Sequence, residues 1–157
     1  RAGKTIMKML TFFLNENSYA VPMADLTEVN RMAAIRIVPK APEYVVGLLN
    51  LHGAVAPVLN LKRVLRLTPW QPAPHCMWIA VRHHGLSVCL TVDKLGRIVE
   101  LPCHGLDETP ALTKGIETRY LKCCARIEDA IVPVLAVDHL LGETEREALA
   151  ELLNDRR

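Results

Sequence analysis

The fold is decided by two nearly identical stretches, Ala54-Val-Ala-Pro-Val-Leu59 and Ala130-Ile-Val-Pro-Val-Leu135, which lie 76 positions apart. The apolar spacing that follows the first stretch, at Leu61, Val64 and Leu65, also recurs after the second at the same offset. Self-similarity of this kind indicates two copies of one supersecondary unit. We therefore expect the 157-residue chain to consist of two related halves.

Each half is predicted to contain five short strands, because its segments are rich in Val, Ile and Leu and are separated by turn residues at close intervals. The predicted strands are Leu10–Leu14, Ser18–Pro22, Leu26–Val29, Leu48–Leu51 and Val55–Leu59, then Trp78–Val81, Leu86–Thr91, Ile98–Leu101, Leu121–Ile127 and Ala130–Leu135. We expect each half to close on itself as a small barrel, since closure removes exposed strand edges. Pro57 and Pro133 should lie at an edge or a bulge, because proline has no N–H to donate.

Short helical segments are predicted around this β framework. One helical turn should follow each final strand, over Lys62–Leu67 and Asp138–Leu141, and the Pro-rich stretch 68–74 should link the halves. A capping box at Thr144–Glu147 precedes an apolar stripe, which predicts an amphipathic helix docked on its own domain. The stripe consists of Ala148, Leu149, Leu152 and Leu153.

Composition excludes several classes of protein. Hydrophobic residues make up 50% and charged residues 23% of the chain, which is typical of a globular domain and excludes intrinsic disorder. The net charge of +2 is small and scattered, so a dedicated nucleic-acid binder is not expected. The longest apolar stretch, Ala130 to Val137, is far shorter than the ~20 residues of a membrane-spanning helix. We expect a cytoplasmic protein with no direct membrane insertion.

Histidines, cysteines and carboxylates do not form a recognisable catalytic or metal-binding pattern. The five cysteines are odd in number and none is spaced C-x-x-C, so we expect reduced core thiols. His75-Cys76 and Cys103-His104 are adjacent pairs, and neighbouring side chains on a strand point to opposite faces. His83-His84-Gly85 is interpreted as a solvated loop. No P-loop or G-x-G-x-x-G is present, so neither an enzyme nor a metal, cofactor or nucleotide site is predicted.

One polar segment is a candidate for function. Gly47 to Gly53 places Asn50, His52 and a flexible glycine at a predicted hairpin tip, and Glu28 lies between Leu26 and Val29 near the end of an earlier strand. The alternative is an ordinary solvated turn, which would explain His52 and Gly53 alone.

These residues resemble the CheW family of chemotaxis coupling proteins. The stretch from Val38 to Leu61 is similar to the family signature, in which a Pro-bounded segment leads to Gly-hydrophobic-hydrophobic-Asn-Leu-Arg-Gly and then a Pro-Val strand. Leu26-Thr-Glu-Val29, Val92-Asp93 and Ile131-Val-Pro-Val-Leu135 match as well, so the resemblance extends from about Met9 to Leu141.

The resemblance implies a mostly β fold with two small five-stranded, SH3-like β-barrel subdomains in one CheW-like module at residues 7–142. The approximate subdomains are 10–67 and 76–141, the linker is 68–75, and a C-terminal helix occupies 143–157. It further implies a non-catalytic adaptor that couples a chemoreceptor, a methyl-accepting protein, to the regulatory domain of a CheA-type histidine kinase. Such an adaptor approaches the membrane only through receptor arrays.

The resemblance also implies receptor-facing residues, namely Leu26, Glu28, Val29, Asn50, Leu51, His52 and Gly53. His52 stands where the family usually has Arg, so a permanently charged fork of donors is replaced by an imidazole ring. This departure suggests a divergent receptor system, such as surface sensing or pilus control.

Two other functions stay open on sequence alone. A small β-barrel could bind nucleic acid or a small ligand, although such barrels normally display stacking aromatics, and aromatic residues make up only 4% of this chain. An enzyme built around Cys103-His104 is the other alternative.

Overall fold

A computed structural model describes residues 5–31, 35–71, 76–104 and 116–154. All ten predicted strands are present in these ranges, several of them longer than expected. They are β1 (Thr5–Leu14), β2 (Asn17–Pro22), β3 (Leu26–Arg31), β4 (Val45–Leu51), β5 (Ala54–Leu59), β6 (Met77–His83), β7 (Leu86–Val92), β8 (Lys94–Cys103), β9 (Leu121–Ile127) and β10 (Ala130–Leu135). The mostly β fold class with two five-stranded sheets is confirmed.

The strands are shared between the sheets in a way that the repeat did not predict. Barrel A has the order β8-β1-β2-β10-β9, and barrel B has the order β3-β6-β7-β5-β4. The expectation that each half forms its own barrel is therefore wrong. Each barrel takes its first two repeat strands from one half and the other three from the other half, because the chain crosses between the sheets after β2 and again after β7. A repeat identifies equivalent strands but does not specify which copy they pair with.

The same exchange corrects the predicted subdomain boundaries. Residues 10–67 and 76–141 do not coincide with the two sheets, and the segment predicted as a linker lies between β5 and β6, which are both in barrel B. Its residues 72–75 are outside the described ranges. Since neither half contains a complete sheet, we expect the two barrels to fold as one cooperative unit.

Each barrel is closed by an isolated bridge between one edge strand and a residue that follows the other edge strand in the sequence. In barrel B, Arg36 and Leu48 exchange backbone N–H···O hydrogen bonds of 2.8 and 2.9 Å. In barrel A, His104 and Cys124 exchange equivalent bonds of 2.7 and 3.0 Å. We call these places seam B and seam A.

The two prolines do not lie on edge strands, because β5 and β10 are inside their sheets. The parallel pairing of β5 with β7 begins at Val58, directly after Pro57, and β10 pairs with β2 at Val134, directly after Pro133. Each proline therefore stands just before a short parallel ladder, where its missing N–H costs no bond of that ladder.

The barrels pack on each other through one large apolar core. It joins residues of barrel A, such as Phe12 and Tyr19, to residues of barrel B, such as Ile79 and Leu90. Smaller clusters fill each barrel, around Met9 in barrel A and around Trp78 in barrel B. This shared interior gives the module a rigid platform for its surface loops.

Helices complete the module. A short helix α1 (Leu61–Val64) follows β5, and a 3-10 turn at Val137–His139 follows β10, as the repeat predicts. The C-terminal helix α2 (Glu143–Asn154) docks through Leu149, which is buried in the shared core. No helix in the described parts of the chain is long and apolar enough to cross a bilayer.

The start of α2 differs from the predicted capping box. The Gly142 N–H donates to Glu145 Oε1 at 2.7 Å, and the Arg146 N–H donates to the Gly142 carbonyl at 2.9 Å. The capping pair of α2 is therefore Gly142 and Glu145, two residues earlier than the predicted pair Thr144 and Glu147. Glu145 reaches back to the cap, whereas Gly142 has no side chain to return the bond, so only half of the reciprocal motif is present.

The prediction of five reduced thiols is wrong for two of them. Cys103 and Cys123 form a disulfide with a Cα–Cα distance of 5.7 Å, whereas Cys76, Cys89 and Cys124 are free and buried. No sequence pattern pointed to this pair, because the two cysteines lie on strands that meet only when barrel A closes.

Candidate functional site

The hairpin tip between β4 and β5 is built by a two-residue turn. His52 and Gly53 have φ angles of 55° and 88°, which is the backbone geometry of a type I′ hairpin turn. Asn50 Oδ1 accepts a hydrogen bond from the Gly53 N–H at 2.9 Å and fixes the turn locally. The tip therefore presents the His52 ring outward on a defined backbone.

Glu28 approaches this tip from β3. Strand β3 is the other edge of barrel B, and its register with β6 shifts between Leu26 and Glu28. Glu28 Oε1 lies 2.6 Å from His52 Nε2, with the side chains 29% and 77% exposed. An ion pair this exposed contributes about 1 kcal/mol or less to folding, so its main effect is to hold the two side chains in one arrangement.

The seven residues predicted to face a receptor are brought together, but they do not all present the same surface. Leu26 is half-buried against the shared core, and Leu51 is half-buried against the interior of barrel B. Val29 is exposed at 38%. We define the barrel B patch as the other five of these residues, which are exposed or charged. It consists of Glu28, Val29, Asn50, His52 and Gly53.

Sequence reasoning missed the corresponding patch on barrel A. Arg97 on β8 lies 3.5 Å from Glu128, which is in the β9–β10 turn, and Ile98 beside it is 53% exposed. The repeat carried the signal, since Glu128-Asp129 occupies the turn equivalent to His52-Gly53. We define Arg97, Ile98 and Glu128 as the barrel A patch.

The prediction of a solvated loop at His83-His84-Gly85 is wrong for His83, whereas His84 and Gly85 form an exposed turn. His83 is buried, and its Nδ1 lies 3.0 Å from the Val137 carbonyl oxygen, to which it donates. Burial lowers the pKa of His83, and the neighbouring His84 adds to this effect. A neutral ring is therefore favoured.

His84 fastens the same hairpin to the turn that follows β10. Its backbone N–H donates to Asp138 Oδ1 at 2.8 Å, and its Nε2 donates to the Asp138 carbonyl at 2.9 Å. The hydrogen bond from the His84 N–H lowers the pKa of Asp138. In the described residues, His83, His84 and Asp138 are the group whose metal-ligating atoms lie within 4.8 Å of one another. These hydrogen bonds account for the grouping structurally.

The structure also bears on the remaining side chains that could take part in catalysis or ligand binding. Cys103 is in a disulfide and has no free thiol or thiolate for nucleophilic or metal chemistry in this state. His75 and Gly105 lie outside the described residues. Trp70 is 37% exposed and carries the Arg63 guanidinium 3.5 Å above its ring, so it stacks with a cation at the surface.

Comparison with known proteins identifies the family. The family model of the CheW-like domain matches residues 8–145. The chain belongs to the CheW-like domain family. As a member of the CheW-like family, it aligns with a probable chemotaxis protein CheW of Rhizobium etli at 23% identity over 141 residues, covering 90% of this chain and 91% of the relative.

Further relatives agree. The chemotaxis protein CheW of Helicobacter pylori is 24% identical over 139 residues, covering 88% of this chain and 84% of the relative. The crystal structure of the scaffolding protein TtCheW from Thermoanaerobacter tengcongensis matches with a TM-score of 0.75 at 24% identity. That match covers 87% of this CheW-like chain and 92% of the solved one, and it supports the two-barrel fold.

Proposed function

We propose that this chain is a non-catalytic chemotaxis adaptor that couples a chemoreceptor tip to the regulatory domain of a CheA-type histidine kinase. Membership of the CheW-like family supports the adaptor class. The observation that carries the receptor-facing assignment is the contact between Glu28 and His52, which joins an edge strand to a hairpin tip at 2.6 Å on an exposed surface. We place the protein in the cytoplasm, held near the membrane through receptor arrays.

The barrel B patch suits a helical receptor tip on physical grounds. Val29 offers exposed apolar area beside the Glu28 carboxylate, and His52 presents a polar ring next to them. Interfaces of this kind combine a small apolar centre with charged groups that set orientation and partner choice. Individually modest contacts become effective when an adaptor holds receptor and kinase together, because the effective concentration rises.

His52 in place of the usual family Arg adjusts this patch. The imidazole keeps a single contact with Glu28, whereas an arginine would offer a planar fork of five donors. We propose that this exchange tunes the surface for a divergent receptor, in a surface-sensing or pilus-type pathway.

The function is tested with purified full chain, a CheA regulatory domain and a helical receptor-tip fragment from the same cell, run together on a sizing column. We expect co-elution of all three. Glu28→Gln should weaken receptor binding by about tenfold, equivalent to ~1.4 kcal/mol, and should leave kinase binding unchanged. Glu128→Gln is the matched control, because it removes an exposed carboxylate from the barrel A patch. Failure to bind any kinase regulatory domain of the cell would contradict the adaptor function.

His52→Arg sharpens the receptor assignment. With an ordinary chemoreceptor tip as the probe, binding should become several-fold tighter, because a permanent charge is restored to the patch. Unchanged affinity with that tip would show that the difference from ordinary family members extends beyond this side chain.

A further inference from the structure

Seam A carries a covalent link that seam B lacks. Cys103 ends β8 and Cys123 lies in β9, and their disulfide joins the two edge strands of barrel A beside the His104–Cys124 hydrogen bonds. The bridge spans a sequence separation of 20 residues, so it also closes a long loop.

The fold does not require this bond. In seam B, the residues directly before the two bridge partners are Ile35 and Gly47, where seam A has the two cysteines. A Cβ added at Gly47 would lie 2.6 Å from Ile35 Cγ2 and 2.5 Å from the Arg36 carbonyl oxygen. Seam B is thus closed by tight packing of Ile35 over a glycine, and a barrel of the same strand order closes without sulfur chemistry.

The remaining cysteines are poorly placed to compete for an oxidant. Cys76, Cys89 and Cys124 are free and buried. Burial raises the pKa of Cys89 to about 12 and raises the pKa of Cys76, which suppresses their thiolate forms. Cys123 is 6% exposed, and Cys103 is only half-buried at the end of its strand. Peroxide should therefore reach Cys103 first, and Cys123 is the cysteine placed to complete a link with it, because their Cα atoms are 5.7 Å apart.

We propose that Cys103 and Cys123 are a reversible redox site that hydrogen peroxide oxidises to the disulfide, locking seam A. The Cys103 thiolate attacks a peroxide oxygen, the O–O bond breaks, and hydroxide leaves with a proton from solvent as water. Cys123 then attacks the sulfenic sulfur of Cys103, the S–O bond breaks, and a second water leaves. Two thiols lose two electrons to the peroxide, and a cellular dithiol returns them by thiol–disulfide exchange.

The consequence lies in local opening of barrel A. With the dithiol, seam A is held by two backbone hydrogen bonds and packing. With the disulfide, the ends of the connection between β8 and β9 are tied together, which removes many of the open conformations. This site is independent of the adaptor function, because it concerns the closure of barrel A rather than the barrel B patch.

The chemistry is tested on the full chain, fully reduced, desalted and then treated with a stoichiometric amount of hydrogen peroxide. Maleimide labelling in denaturant should count five thiols before oxidation and three after it, matching the three cysteines without a disulfide partner. Peptide mapping should place the link between Cys103 and Cys123, and a dithiol should restore all five. Cys76→Ala is the matched control and should still lose two thiols, whereas Cys103→Ser should form no such link.

The conformational effect is tested by amide hydrogen exchange of the oxidised and reduced forms of the unmodified sequence, so no variant has to fold. The His104 and Cys124 amides should exchange at least about tenfold more slowly in the oxidised form. Five thiols after peroxide, a link to another cysteine, irreversible sulfinic acid, or equal exchange rates would each overturn the proposal.

Discussion

The two barrels have the same strand order but different side-chain chemistry at corresponding places. Seam A is joined by the Cys103–Cys123 disulfide, whereas seam B is closed by Ile35 packed over Gly47. Both seams keep the same pair of backbone hydrogen bonds. The comparison shows that backbone pairing and apolar patterning specify the barrel, while the side chains at its closure are free to acquire separate roles.

The barrel A patch and the barrel B patch also occupy equivalent places with different side chains. In barrel B the acid, Glu28, is on the strand and the base, His52, is on the hairpin turn. In barrel A the base, Arg97, is on the strand and the acid, Glu128, is on the turn. The equivalent strand positions therefore carry opposite charges, and we expect the two patches to select different partners.

The largest expected effect on the free energy of unfolding concerns the side-chain contacts that hold each helical turn in place. Lys62 in α1 and Asp138 in the 3-10 turn are equivalent in the repeat. Lys62 Nζ pairs with Asp93 Oδ2 at 2.8 Å, the two side chains being 6% and 16% exposed, and the same oxygen accepts the Asn15 N–H. Asp93→Asn leaves a buried ammonium without its counter-charge, so the free energy of unfolding should fall by about 3 kcal/mol in urea titrations.

Asp138→Asn is the matched comparison, because Asp138 is 58% exposed and an asparagine oxygen can still accept the His84 N–H. Its cost should be about 1 kcal/mol or less. Adding Lys62→Met to Asp93→Asn should recover part of the lost stability, since no unpaired charge then stays buried. Equal losses for the two aspartate variants would show that burial of the ion pair is not what distinguishes the turns.

A smaller effect is expected at seam B. Gly47→Ala puts a Cβ against the Arg36 carbonyl oxygen, and backbone atoms cannot move aside without disturbing the seam hydrogen bonds. We expect a loss of about 2 kcal/mol by the same measurement. In Gly53→Ala the added Cβ meets no atom within 4 Å, but the φ of 88° is unfavourable for alanine, so the loss should be about 1 kcal/mol. A silent Gly47→Ala would contradict closure by packing.

The sequence predicted those features that depend on local pattern. The ten strands, the hairpin at His52-Gly53 and the terminal helix follow from apolar periodicity and turn chemistry, which act within a few residues. The exchange of strands between barrels and the disulfide depend on which edges meet after closure, and no local pattern encodes that choice. The buried His83 was missed for the same reason, since the Val137 carbonyl that it contacts is far away in the sequence. Glu28 and His52 were both predicted as site residues, and only the fold brings them into contact.

The smallest effect tests the difference between Leu14 and His83, which end equivalent strands at buried positions. Burial and the charges of His84 and Arg146 lower the pKa of His83, against the opposing effects of Asp138 and the Val137 carbonyl. The unfolded chain therefore binds a proton at His83 more readily than the folded chain does. The contribution of neutral His83 to the free energy of unfolding is complete above the unfolded-state pKa of 6.5 and is lost as pH falls below that pKa. The loss should not exceed about 1.4 kcal/mol per pH unit.

The test compares the unmodified protein with His83→Asn, which keeps an N–H donor for Val137 but does not titrate. The free energy of unfolding of each is measured in urea between pH 7.5 and pH 5.5. Subtracting one pH dependence from the other removes the contribution of the other histidines, within about 0.5 kcal/mol. A difference that stays flat over this interval would mean that His83 binds its proton equally well in the folded and unfolded chain.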